Sequence, residues 1–448
     1  MADRRRVVIT GLGVASPVGL GVEAFWEALL RQECGLRRIE AFDPTGFATQ
    51  IGGALPDFSL SDLIPKTYRK SAKVMSRDIQ IAVACSYHAV RDAGLNTPCI
   101  VGRGEASEVN VDAARFGANI GAGLVCPDLD ELAGALTLAA DDTGSFSLRL
   151  WGDEGMTNLT PLWLLKFLPN MLACHVTIVH DAQGPSNTIT CGEASSHLAI
   201  GEAFRTIGRG DADVCVCGGA ESKLNPMALC RPQLRGLLNT QCNDQPDRAV
   251  RPFASERNGT VAAEGGGLVI LEALEHARAR GAGIYAELVG FASSNNAHHW
   301  SDPDPSGKDV ALALATSLSD ANLAPEGIDL VAPFGAGTKS HDASEIAGWN
   351  RVFGKRLDQV PALTTRGATG TCGAGSGAID FAAAVMALHH NAVPASLNTA
   401  PGDPVSRFDF VHRDPIDAPI QAAISLGMSL AGGQRAALVI RRFEEKPS

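Results

Sequence analysis

The chain is short of aromatic side chains, which make up 5% of its 448 residues, against 48 glycines. A core with few large rings must be filled by small residues on closely approaching backbones, which suits helices laid on sheets. It also has no basic excess. Its formal net charge is −11, which argues against a nucleic-acid binder, since such binding rests on Lys and Arg. No apolar run reaches the roughly 20 residues of a membrane span. The opening MADRRRVVITGLG passes directly from three arginines into a strand pattern, without the long apolar core of a secretion signal. A cytoplasmic protein is expected. The 11 cysteines are odd in number and follow no disulfide spacing. Cys215 and Cys217 have no further ligands nearby, so they read as buried thiols of a reducing compartment. Gly11-Leu-Gly13 is too short for a dinucleotide loop and no phosphate-binding lysine follows. Neither metal nor cofactor is expected.

What is present is an alternation. RRVVITGLGVASP reads as a strand and DIQIAVACSYHAVRDAG as a helix ending in glycine. FGANIGAG is a strand ending in glycines, HLAIGEAFRTIGRG a helix and DADVCVCGGAES a buried strand. The same order returns later, in VAAEGGGLVILEALEHARARG, IYAELVGFASSNN, DVALALATSLSDANL and IDLVAPFGAGT. A glycine-rich turn then opens the helix within ATGTCGAGSGAIDFAAAVMALHH, and strands close the chain. Two duplicated α/β halves are expected, 1–255 and 256–448, fused without a linker. The stretch 141–170, which holds Trp151, Trp163 and Phe167, is irregular and reads as a cap or lid over a site rather than core. The final EEKPS reads as a loose tail.

The opening VVITGLGVASPVG, the segment RPFASERNGTVAAEGGGLVILEALEHARARGA and IYAELVGFASS are similar to signatures of the β-ketoacyl-acyl carrier protein synthases. The resemblance spans roughly residues 5–442 and is nearest to the type II elongating enzymes. It implies the thiolase fold, a five-layer α-β-α-β-α sandwich paired as a dimer. It also implies a nucleophilic Cys at a helix N-terminus, assisted by two His.

Carried over position by position, the resemblance meets three substitutions. Counting from Gly184-Pro-Ser186 to the helix at Ile200 puts Glu193 at the nucleophile position, two residues after Cys191. The His that would open a His-Gly-Thr motif after IDLVAP is Phe334, and the second His, after Thr-Gly, is Thr371. Arg366 stands for the usual Lys. Ser429 opens a stretch, to Gly433, matching the family's Phe-rich gating loop without its aromatics.

Cys191 and Cys372 read as bystanders, since neither sits on the helix end. Acyl transfer to Glu193 would give an anhydride uphill from a thioester, and Phe334 offers no hydrogen bond. A buried Glu needs partners, and Arg366 or Arg435 is expected to supply an ion pair. His341 reads as a turn residue or a rescue base. The exposed-looking cluster Lys66, Arg69, Lys70 and Lys73 reads as a dock for an acidic acyl carrier protein or as a solvated helix face. The resemblance implies a chain-length-factor-like partner of an active ketosynthase. An enzyme of altered chemistry using Glu193, or a non-catalytic acyl- or carrier-binding homodimer, remains open beside it.

Overall fold

A computed structural model describes residues 4–445; Lys446–Ser448, part of the expected tail, lie outside the described residues. Eleven strands matter here. They are β1 (Val7–Ser16), β2 (Phe116–Ala122), β3 (Ser186–Ile189), β4 (Val214–Ser222), β5 (Glu264–Ala273) and β6 (Ala286–Asn295). The rest are β7 (Leu330–Ala332), β8 (Pro361–Ala362), β9 (Asp409–Phe410), β10 (Ala422–Met428) and β11 (Gln434–Arg441). The helices that frame them are α1 (Arg77–Asp92), α2 (Met171–His180), α3 (Ser195–Arg209), α4 (Pro226–Leu234), α5 (Lys308–Ala321), α6 (Lys339–Phe353) and α7 (Ser376–His390).

The strands run in the order β9-β8-β7-β10-β11-β6-β1-β5-β4-β2-β3. Read outward from the β1–β6 contact, both halves repeat one pattern. β1-β5-β4 are antiparallel and β4-β2-β3 parallel, while β6-β11-β10 are antiparallel and β10-β7-β8 parallel. The halves meet along three residue pairs, Val7 to Ile9 against Ala286 to Leu288. This is a duplication written in hydrogen bonds, and the five-layer arrangement follows from it. α1 and α2 cover the outer face of the first sheet, α5 and α6 that of the second, and α3 with α7 fills the space between.

The residues explain the layering. β1, β4 and β5 are buried at every position, so they carry continuous apolar runs rather than alternation. α1 starts where Ser76 accepts the Ile79 N–H, a conventional cap. α7 is buried from Ser376 to Leu388 and is accordingly almost free of charge. The expected division after residue 255 falls ahead of β5. That strand pairs with both β1 and β4, so it belongs to the first sheet, and the chain crosses between halves only after Ala279. MLACHVTIVH, Met171–His180, is helix α2 and carries the chain toward β3. No described helix is long and apolar enough to cross a membrane.

Candidate functional site: a cavity at the first elbow

β3 ends at Ile189, and Gly192–Ala194 form one 3-10 turn that feeds α3. The turn needs a residue at φ +58°, and Gly192 supplies it. The expected elbow is therefore present, with Glu193 next to the glycine. Cys191 precedes the turn, half-buried, and its N–H donates to the Ser195 hydroxyl at 2.8 Å. Desolvation pushes its thiol above the ordinary range, the opposite of what a nucleophilic cysteine requires.

Glu193 faces a cavity of about 460 Å³. Its walls are the end of β2 (Ala122 to Leu124), Glu221 and Lys223 at the end of β4, Arg231 and Pro232 of α4, then Arg235, Leu237, Leu238, Thr260, Ala262, Thr371, Leu430 and Ala431. Two of the three substituted positions, Glu193 and Thr371, thus meet on one cavity. The third does not. Phe334 is fully buried in the apolar cluster around Phe253, Trp349 and Met428 and does not line the cavity. Its N–H and that of Gly335 donate to Glu345 at 2.7 and 3.0 Å. Burial drives the Glu345 carboxyl up to about 8.

The expected ion pair is not there. Arg366 bonds the Asp380 carboxylate and the Gly370 and Ser376 carbonyls, with its guanidinium 5.1 Å from the Phe334 ring. Arg435 lies 2.9 Å from Asp309, off the hydrogen-bond angle. Both arginines already have their own buried carboxylates, so neither pairs with Glu193. Glu193 instead accepts the Leu430 N–H at 2.9 Å, which ties it to the loop from Ser429 to Gly433. Ser429, in the same loop, bonds Ala431 through its hydroxyl.

His341 grips the same loop from the other side. Its Nε2 donates to the Leu430 carbonyl at 3.2 Å and its Nδ1 accepts from the Thr338 hydroxyl at 2.9 Å. That tautomer follows because a carbonyl can only accept. Burial lowers its pKa to about 4. His341 borders a neighbouring cleft of about 430 Å³ rather than the Glu193 cavity.

Sequence reasoning passed over Lys223 and Glu221. Glu221 is 1% exposed, accepts the Ala374 N–H at 2.7 Å and pairs with Lys223. Burial works against the charge on Lys223, but Glu221, Glu193 and Asp78 outweigh it and hold the ammonium above its usual pKa. The signal was a charged Glu-Ser-Lys directly ending a buried strand. The lid at 141–170 contributes only Pro169 to the cavity. Phe167 is buried against the first-half core, Trp163 packs on it and Trp151 is half-buried. Lys66, Arg69, Lys70 and Lys73 are all exposed on one turn and short helix, Lys66–Ala72, and the residue after it.

Comparison with known proteins agrees with this architecture. Residues 4–277 match the beta-ketoacyl synthase N-terminal domain and residues 285–400 its C-terminal domain. The putative polyketide beta-ketoacyl synthase 1 of Streptomyces halstedii is 34% identical over 437 residues, 97% of this chain and 98% of its own length. The 3-oxoacyl-[acyl-carrier-protein] synthase 2 of Vibrio harveyi is 33% identical over 444 residues, 99% of this chain and all of its own. Among solved structures, the ishigamide ketosynthase/chain length factor superposes with a TM-score of 0.83 at 27% identity, over 98% of this chain and 100% of its own. A type II PKS ketosynthase solved with its acyl-carrier protein and a hexaketide gives 0.82 at 28%, with the same coverage. With matches running through both halves and the thiolase fold beneath them, the chain belongs to the beta-ketoacyl synthase family.

Proposed function

We propose that this chain is a non-condensing ketosynthase-like subunit of fatty-acid or polyketide synthesis. It pairs with an active ketosynthase in the manner of a chain-length factor. The observation that carries the reading is the state of the three catalytic positions. Condensation needs a thiolate to accept the acyl group and two imidazoles to support decarboxylation. Here those places hold a carboxylate, a hydroxyl and a benzyl ring sealed in the core. The nearest thiol, Cys191, is held in its protonated form by desolvation.

A partner surface is available. Most of the exposed large hydrophobic side chains lie between residues 124 and 178, among them Leu148, Leu162 and Leu164, with exposures of 76%, 72% and 60%. β3, at one end of the sheet, also has an outer edge that is unpaired among the described residues. Such a face is costly in water and suits a subunit contact. The likeness to a ketosynthase/chain length factor and to a ketosynthase solved with its acyl-carrier protein supports these two partner types. The carrier's acidic surface would dock on Lys66, Arg69, Lys70 and Lys73.

The test is co-expression with a cysteine-bearing ketosynthase from the same gene neighbourhood. A 1:1 complex on size exclusion that condenses malonyl units is the expected result. A persistent homodimer of this chain that leaves the ketosynthase unbound would overturn the reading.

A further inference from the structure

A second cavity, of about 910 Å³, lies across the end of β4 from the Glu193 cavity. Ser222 lines it, whereas Glu221 and Lys223 line the first, since successive residues of a strand face opposite sides. Arg77 and Asp78, at the start of α1, and Glu264 of β5 line it too. Three buried carboxylates, Asp78, Glu221 and Glu264, therefore gather around Ser222, and two cations answer them. Arg77 holds Glu264 through two hydrogen bonds, at 3.0 and 2.7 Å, and Lys223 holds Glu221. Asp78 has no ion pair among the described residues. It is 4% exposed and accepts the Ser222 N–H at 3.1 Å, while the Ser222 hydroxyl goes to Glu264. The walls supply no spare cation. Lys166 is tied to Glu131, which leaves Arg37 and Lys73 facing Glu40, Asp57 and Asp128. Burial keeps the Cys126 thiol on the same wall protonated. Arg231 and Arg235 stand on the other cavity, with Glu221 and Lys223. A buried carboxylate without its own counter-charge binds its proton more tightly. Burial, and then Glu221, push the Asp78 carboxyl up to about 7.

This acid shares its cavity with the exposed basic segment. Lys73, the last of the four cations Lys66, Arg69, Lys70 and Lys73, lines the same walls. An acidic partner drawn to that segment brings negative charge to the cavity mouth. The ionised form of Asp78 then rises in energy and the neutral form does not. Proton binding and partner binding favour each other, and by linkage to the same extent. We infer that an acidic acyl carrier protein docks here with uptake of a proton by Asp78, so that docking is tighter just below neutral pH than above it. The inference rests on the carrier docking proposed above for residues 66–73 and adds its regulation. It needs no covalent step.

The experiment uses the purified full-length chain and a purified acyl carrier protein. Calorimetry at pH 7, in two buffers of different ionisation heat, gives the protons taken up on binding. The expected uptake is about a quarter of a proton, as for a half-ionised carboxyl whose proton affinity rises about threefold beside a screened charge. The dissociation constant should accordingly be roughly two- to threefold lower at pH 6 than at pH 8. Asp78→Asn keeps an acceptor for the Ser222 N–H and carries no charge. It should lose the uptake and that pH dependence together. Asp78→Ser, which also keeps an acceptor, is measured beside it and decides if the amide variant unfolds. Asp57→Asn removes an exposed carboxylate from the same cavity and should keep the uptake. Carrier binding without uptake in the wild type, or uptake kept by a folded Asp78 variant, would overturn the inference and leave the docking reading standing. No carrier binding at any pH would overturn the docking reading, and the inference with it.

Discussion

The two elbows of this molecule carry nearly the same residues and have opposite fates. Residues 190–195 read Thr-Cys-Gly-Glu-Ala-Ser and residues 371–376 read Thr-Cys-Gly-Ala-Gly-Ser. Each has its glycine at positive φ, +58° at Gly192 and +52° at Gly373, and each opens a three-residue 3-10 turn and a 15-residue helix. In the first, the apex carries Glu193, faces a cavity and reaches across to the Leu430 N–H of the other half. In the second, the apex is Ala374, fully buried, and its own N–H is taken by Glu221 from the first half. One elbow sends a carboxylate across the interface and the other receives one. The lesson is that the duplicated geometry is neutral, and burial decides which copy becomes a site. Even the paired cysteines follow this, since Cys372 is buried outright with its thiol pushed up to about 12, while Cys191 is half-exposed beside the cavity.

The comparison can be broken hardest at the second elbow. Arg366→Leu leaves Asp380 buried without its counter-charge and should cost about 3–5 kcal/mol in chemical denaturation. The glycines should then separate. Gly373→Ala combines left-handed strain with a Cβ only 2.0 Å from the Glu221 carboxylate, and should cost about 2–4 kcal/mol. Gly192→Ala has similar strain, but its nearest neighbour is the Ser429 hydroxyl at 2.7 Å, so a loss of about 1–2 kcal/mol is expected. Equal losses would mean that the two elbows are not distinguished by packing.

A pH series sharpens the same contrast around Phe334. Glu345 holds its proton up to about 8 in the folded chain against a usual value near 4.5. The native state therefore binds more protons than the unfolded one between those values, and Glu345's contribution to stability falls as pH rises through that window. Glu345→Gln should flatten the decline in melting temperature from pH 5 to 8. An unchanged slope would show that Glu345 is not its source. The smallest effect is at the open elbow, where Glu193→Gln should change stability by no more than about 1 kcal/mol, because it loses a single hydrogen bond of a half-exposed group.

Much of this was legible in the sequence. Buried strands betray themselves by unbroken apolar runs, and the alternation with helices gave the two halves. The resemblance to the β-ketoacyl synthases, through Gly184-Pro-Ser186, IDLVAP and Thr369-Gly370, is what singles out Glu193, Phe334 and Thr371. The half boundary was misjudged because β5 pairs with strands far behind it in the chain, a long-range choice that no local pattern encodes. The ion-pair assignment failed for a similar reason. Arg366 and Arg435 were available by proximity in sequence to the site, but Asp380 and Asp309 lie on helices whose packing brings them closer. Lys223 was overlooked because its role appears only when the end of β4, the first elbow and Thr371 are brought onto one cavity.

The central claim is that the first elbow kept its shape and lost its nucleophile. Intact-protein mass spectrometry tests it most directly, on the isolated chain incubated with acyl- and malonyl-carrier thioesters. The account predicts no added acyl mass on the chain and no 3-oxoacyl product on the carrier. An acyl adduct mapped to Cys191 or Glu193, accompanied by condensation product, would contradict it.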